Sequence, residues 1–127
     1  RQQTDAIALI LDLTPTILDY AAVKTPDDMQ RASLKNVAEG AIPEDWRQSM
    51  YYHYYQSGAW HYVSKHYGVR TDRYKLIKFY DEVDAWEMYD LQEDPREVNN
   101  VFGKPEYEQV QTELENELNR LREKYKI

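Results

Sequence analysis

A chain of 127 residues with a hydrophobic fraction of 42% is long enough for one real core and too short for two independent ones. It contains no Cys, which excludes disulfides, thiolate metal sites and a cysteine nucleophile within it. The formal charge of −7 argues against a phosphate-tracking surface, so neither nucleic acid nor, given the lack of a long apolar run, a membrane is expected as a partner.

The charge is uneven. Residues 1–60 carry five basic and eight acidic groups, residues 61–80 five and one, and residues 81–127 six and fourteen. A short basic block therefore sits inside an acidic chain. It either draws in an anionic ligand or offsets nearby carboxylates, the commoner fate of such charges. The opening residues, Arg1 to Asp5, have no signal-peptide pattern and read as the start of an internal piece of a longer protein.

Asp5-Ala6-Ile7-Ala8-Leu9-Ile10-Leu11 is nearly continuously apolar. It predicts a strand buried on both faces of a sheet larger than this chain can supply, the alternative being an extension of the helix that follows. Asp12 or Thr14 can accept hydrogen bonds from free N–H groups, Pro15 suits a first helical turn, and Leu13, Ile17 and Ala21 share a helical face. Ser33 to Glu39 reads as a short helix ended by Gly40.

From Ser49 onward the pattern turns to β. Met50–Tyr55, Tyr67–Thr71, Tyr74–Tyr80 and Trp86–Leu91 are rich in aromatic and β-branched residues, with reversals at Thr71-Asp72-Arg73 and Asp81-Glu82-Val83-Asp84. An antiparallel meander is expected for the last three. Tyr107, Val110, Leu114, Leu118, Leu121 and Tyr125 then recur at helical spacing behind Pro105, with Glu106 and Glu108 near the positive end and Lys124 and Lys126 near the negative end. The fold class is α+β: a four-stranded antiparallel sheet packed by a C-terminal helix and preceded by a strand and helix.

Leu11-Asp12-Leu13-Thr14-Pro15-Thr16-Ile17-Leu18-Asp19 and Met29-Gln30-Arg31-Ala32-Ser33-Leu34 are similar to "IDLxPTLLDLAG" and, with Arg31 in place of Gly, "MQGxSL", the first of several segments that in order resemble the C-terminal third of the type I sulfatase family. His66-Tyr67-Gly68-Val69-Arg70-Thr71-Asp72-Arg73-Tyr74-Lys75-Leu76-Ile77 resembles the "(Y)GVRTxRYKLI" hairpin. Trp86 to Leu91 and Asp94 to Asn100 follow "WELYDLxxDPxExxNL". The resemblance covers nearly the whole chain. It implies that residues 1–48 end a larger α/β catalytic domain and that residues 49–127 form the sulfatase C-terminal subdomain.

The resemblance further implies a parent enzyme, a sulfuric ester hydrolase, that attacks the sulfate ester with a hydrated formylglycine assisted by Ca²⁺. None of Ser33, Ser49, Ser57 and Ser64 begins a Cys/Ser-x-Pro/Ala-x-Arg motif, so the nucleophile and calcium site are expected in the parent's N-terminal domain and this piece alone is expected to be inactive. The expected partners are that domain and a sulfated carbohydrate, with bacterial N-acetylglucosamine-6-sulfatases closest in pattern. A periplasmic or secreted parent is implied.

For substrate contact, alternation along a strand places His66, Gly68 and Arg70 on one face and Tyr67 and Val69 on the other. His66 is a candidate ligand to the sugar or its sulfate, or else a structural histidine bonded to backbone. Arg70 can bind an anion bidentately, or pair with Asp72. Trp60 and His61, in the loop Gln56 to Lys65, can stack on or bond a sugar, whereas Tyr51, Tyr52 and Tyr54 are expected to pack. A non-catalytic glycan-binding module and a structural or interaction domain are the rival functions.

Overall fold

The computed structural model describes residues 3–29, 32–56 and 62–127. They fall into two compact units, Arg1–Gln48 and Ser49–Ile127.

The second unit is a meander of four strands, β1 (Met50–Tyr54), β2 (His66–Arg70), β3 (Tyr74–Phe79) and β4 (Ala85–Asp90), every neighbouring pair antiparallel. Its register sets Tyr51 opposite Val69, Val69 opposite Leu76 and Leu76 opposite Met88. This row faces α3 (Glu108–Tyr125), whose Leu114, Leu118 and Leu121 close a core with Val69, Leu76, Met88 and Val101. Val69, Leu76 and Met88 are fully buried, and each such side chain contributes about 1.5–3 kcal/mol of transfer free energy. α3 is opened by a 3₁₀ turn at Pro105–Tyr107 and ends at Lys126, whose φ of 56° lets Ile127 N–H reach the Arg122 carbonyl at 3.1 Å.

β4 lies at the edge of the sheet, where unpaired N–H and C=O groups would be exposed. Asn100 covers part of that edge. Its Oδ1 accepts from Met88 N–H at 3.0 Å and its Nδ2 donates to the Trp86 carbonyl at 3.1 Å, while Val101 N–H bonds the Met88 carbonyl. At the other end of β4 the buried Asp90 carboxylate takes two bonds from Arg73, at 2.8 and 3.1 Å, and two more from the backbone N–H groups of Gln92 and Glu93. The β2–β3 reversal is tied by Thr71, whose N–H bonds the Tyr74 carbonyl and whose hydroxyl accepts from Tyr74 N–H.

Gly68 is required by space. A Cβ there would lie 2.3 Å from the Leu76 carbonyl oxygen and 2.6 Å from the hydroxyl of Tyr52, its cross-strand partner, whose ring covers the position.

The first unit contains a 3₁₀ turn at Ile10–Asp12, α1 (Leu13–Tyr20) and the short α2 (Lys35–Ala38). The buried Asp12 carboxylate receives both Arg47 amino groups and Leu9 N–H. Thr16 donates to the Asp12 carbonyl and accepts from Leu34 N–H, joining α1 to the approach of α2, and Trp46 Nε1 donates to the Ile7 carbonyl. The strand expected over Asp5–Leu11 is not formed. Leu9 has extended dihedrals (φ −118°, ψ 149°), yet the segment turns into the 3₁₀ turn and finds no neighbouring strand among the described residues. An apolar run becomes a strand only when a second backbone satisfies its N–H and C=O groups, and the only sheet among the described residues is the meander. Ile10 and Leu11, with Leu13 and Ile17 of α1, are exposed, Ile10 at 83%.

Two outcomes follow. Gly68→Ala should lower the stability of the sheet unit by roughly 1–3 kcal/mol or more, since the clash is with backbone and cannot be relieved by a rotamer; urea denaturation reads this, and an unchanged midpoint would remove the packing argument. The hydrogen bonds from Arg73 hold the Asp90 carboxyl below the usual carboxylate value, against the opposing effect of burial. A depressed native pKa gives stability that is complete above the unfolded pKa of about 4 and is lost as pH falls through the native value. Asp90→Asn should therefore flatten the acid limb of the stability–pH curve below about pH 4 while lowering stability at neutral pH.

Candidate functional site

With Val69 against α3, the residues on either side of it in β2 must point away from the helix. The face opposite α3 thus carries three cross-strand rows: Tyr54, His66, Phe79 and Ala85; Tyr52, Gly68, Ile77 and Glu87; and Met50, Arg70, Lys75 and Tyr89.

His66 stands in the first row, half-buried among rings. Its imidazole stacks on Tyr54 (centroids 5.4 Å apart, planes at 22°), meets Phe79 at 5.3 Å and sits edge-on to Tyr52 at 6.0 Å. Nδ1 lies 2.9 Å from the Ser64 carbonyl oxygen, which can only accept, so Nδ1 carries the proton. Nε2 makes no hydrogen bond among the described residues. The backbone bond expected of a structural histidine is thus present at Nδ1.

Arg70 is exposed at the far end of the same face and makes no hydrogen bond or ion pair among the described residues; the expected alternative, a pair with Asp72, is not formed. His66 and Arg70 are four residues apart on one strand, about 13 Å by the strand rise, with Gly68 between them. One monosaccharide would not span that distance. Trp60 and His61 lie outside the described residues. Tyr54, expected only to pack, does so by forming one wall of the His66 environment.

The basic block resolves into pairs. Lys65 bonds Asp81, Arg73 bonds Asp90, Lys75 bonds Glu97 and Lys78 bonds Asp84, leaving Arg70 as its one cation without an ion pair among the described residues. Among the described residues no three His, Asp or Glu side chains converge as metal ligands. No Ser of the sequence begins a Cys/Ser-x-Pro/Ala-x-Arg motif, and the sequence has no Cys.

Sequence reasoning missed two features. Tyr52 has its hydroxyl buried without a partner in the described fold, and burial, with the charge of Glu97, pushes its pKa up. On the other face of the sheet, His53 uses both nitrogens, Nδ1 with the Tyr51 hydroxyl at 3.0 Å and Nε2 with the Tyr80 hydroxyl at 2.8 Å, and stacks on Tyr55 at 3.7 Å. Burial, with the nearby charge of Arg122, lowers the His53 pKa, and burial raises Tyr51 to about 12. A neutral imidazole has one donor and one acceptor nitrogen, so one tyrosine donates and the other accepts. Alternation could have put His53 and Tyr67 on one face; the cross-strand register that brings in Tyr80 has no signature in the sequence. Tyr52→Phe should leave stability unchanged or raise it by up to about 1 kcal/mol, because it removes a buried group with no bond to lose; a clear loss in a thermal or urea melt would reveal a partner for the hydroxyl.

Residues 1–124 match the family model described as N-sulphoglucosamine sulphohydrolase, C-terminal. The chain is 51% identical over 125 residues to an N-acetylglucosamine-6-O-sulfatase of Bacteroides thetaiotaomicron, a match covering 97% of this chain and 22% of that relative. It is 32% identical over 108 residues to a Delta 4,5-hexuronate-2-O-sulfatase of the same organism, covering 81% of this chain and 21% of the relative. Among solved structures it superposes with a TM-score of 0.86 and 53% identity on a protein in complex with its substrate D-glucosamine-2-N,6-O-disulfate, over 91% of this chain and 24% of that one. The chain thus spans about a quarter or less of the length of the relatives it matches. Its ordered motifs, its α+β fold and the match over residues 1–124 together place it in the N-sulphoglucosamine sulphohydrolase C-terminal family, the C-terminal subdomain of sulfatases.

Proposed function

We propose that this chain is the C-terminal portion of a sulfatase that hydrolyses sulfate esters of a glycan, and that its role is to form one wall of the substrate pocket. Membership in a sulfatase family supports the reaction class, and the 51% identity to an N-acetylglucosamine-6-O-sulfatase favours a 6-O-sulfated glucosamine derivative as substrate. Formylglycine and Ca²⁺, the parts of sulfatase chemistry that make the nucleophile and stabilise charge on the departing sulfuryl group, are assigned to the part of the protein that precedes this chain in its relatives. That part is also the proposed partner of the first unit. The exposed apolar side chains Ile10, Leu11, Leu13 and Ile17 support reading residues 1–48 as the end of the parent α/β domain. A periplasmic or secreted setting follows from the same resemblance, and no helix among the described residues is long and apolar enough to cross a membrane.

The observation that carries the site reading is the imidazole of His66, fixed by Ser64 on one nitrogen and unbonded on the other, on the sheet face that α3 leaves uncovered. Arg70 is the second contact, to a negatively charged group more distant along the glycan, and Trp60 and His61 complete the proposed set. The test is steady-state hydrolysis of 6-O-sulfated N-acetylglucosamine by the full-length protein. His66→Ala is expected to raise KM about 10-fold with a smaller change in kcat, as for a lost hydrogen bond and ring contact. Arg70→Ala is expected to spare the monosaccharide and weaken only longer sulfated oligosaccharides. The reading fails if the full-length protein releases no sulfate from any sulfated sugar, or if KM is indifferent to His66.

A further inference from the structure

The sheet face that packs α3 carries a second cluster of polar rings, where β1 ends and α3 runs out. Tyr55, just past β1, stacks on His53 with ring centroids 3.7 Å apart and planes at 25°, yet it remains 64% exposed. His53 thus holds one face of a ring that is otherwise largely in solvent. The imidazole is fixed in turn by the hydroxyls of Tyr51 and Tyr80 and stands edge-on to Tyr67 at 5.5 Å. Next to Tyr67 lies Arg122, its guanidinium 4.6 Å from the ring centre and its Nη1 3.3 Å from the Tyr67 hydroxyl.

Charge indicates the ligand. Residues 118–127 carry Arg120, Arg122, Lys124 and Lys126 against one acidic side chain, Glu123, so this end of α3 is a local cationic patch in a chain of net charge −7. Glu117 takes up Arg120, whereas Arg122 makes no ion pair among the described residues. Rings with hydroxyl tips match the C–H face and hydroxyls of a pyranose, and a guanidinium beside them matches a sulfate borne by the same sugar or its neighbour. The rings are already ordered by their contacts with one another, which lowers the entropy lost on binding. With steps of 3.7, 5.5 and 4.6 Å the row has the reach of a short oligosaccharide, well below a standard protein interface. We infer that Tyr55, His53, Tyr67 and Arg122 form an accessory binding site for a sulfated glycan, on the opposite face of the sheet from His66 and apart from the site of hydrolysis. The inference rests on the reading of the parent's substrate as a sulfated glycan, since a second, weaker contact keeps a polymer near the site that cleaves its esters.

The test titrates the full-length protein calorimetrically with a heparin tetrasaccharide and with chitotetraose, an uncharged oligomer of N-acetylglucosamine, and follows hydrolysis of 6-O-sulfated N-acetylglucosamine separately. Tyr55→Ala and Arg122→Met should each weaken the heparin tetrasaccharide by roughly 5–10-fold, the loss of one stacking or charge-assisted contact, and leave kcat and KM for the monosaccharide within about 2-fold. Arg122→Met should also flatten the fall of affinity with rising salt. Chitotetraose should bind more weakly than the heparin oligomer and be indifferent to Arg122→Met. Tyr55 is exposed, so its truncation leaves the core intact and keeps the test valid if Arg122→Met folds poorly.

Unchanged affinity in Tyr55→Ala, or binding that responds only to His66→Ala and Arg70→Ala, would put the oligosaccharide on the other face of the sheet and overturn the inference while sparing the pocket reading. A drop in both melting temperature and monosaccharide hydrolysis in Tyr55→Ala would make the row a contact with the part of the protein that precedes this chain, and would overturn it equally. Failure of the wild-type protein to release sulfate from any sulfated sugar is a separate result, which removes the sulfatase reading itself.

Discussion

The row Val69, Leu76 and Met88, buried against Leu118 and its neighbours on α3, decides on which face of the sheet every other side chain lies. In a structure of period two, a slip of one residue would move each side chain to the opposite face. The slip would expose the row and bury Arg70 and Lys75 under the helix, a cost far above the stability of a domain this small. His66 faces away from α3 because Val69 faces toward it. The chemical character of the face opposite α3 is thus a by-product of core packing three residues along.

The motifs that carry the family resemblance are mostly the parts that hold this arrangement together. Thr71 closes the β2–β3 reversal, Arg73 reaches across to Asp90, Asp94 accepts from Val98 and Asn99 N–H, and Asn100 bonds the edge of β4. In the first unit Asp12 holds Arg47 and Thr16 holds Leu34. These residues have side chains whose geometry admits few replacements, so they leave a readable pattern. His66, by contrast, is bonded through its ring only to a backbone carbonyl, a contact that leaves no partner side chain to read in the sequence. The family was therefore legible where the substrate was not.

Local periodicity was enough to find the four strands, the long helix and the faces of β2, because each of these depends on near neighbours in the chain. What depends on a distant strand was not legible. The bar on a side chain at Gly68 comes from the Leu76 carbonyl and the Tyr52 ring, and the polarity of His66 comes from a backbone carbonyl in an irregular segment. The Ala6–Leu11 run shows the converse error. Its composition suits a buried strand, yet a strand is a property of two backbones, and the second is not found among the described residues.

Charge gives the same lesson at longer range. In the sequence, residues 61–80 form a positive island that could draw a sulfated ligand toward an acidic protein. In the structure four of the five cations are spent on Asp81, Asp90, Glu97 and Asp84, so the island has little field of its own beyond a few ångströms. Of the five, Arg70 alone is without a counter-ion among the described residues, about 13 Å from His66 along β2. Charge on this face is therefore set by where the carboxylates lie in the fold, and the count of lysines and arginines in a stretch of sequence does not reveal which of them keeps its field.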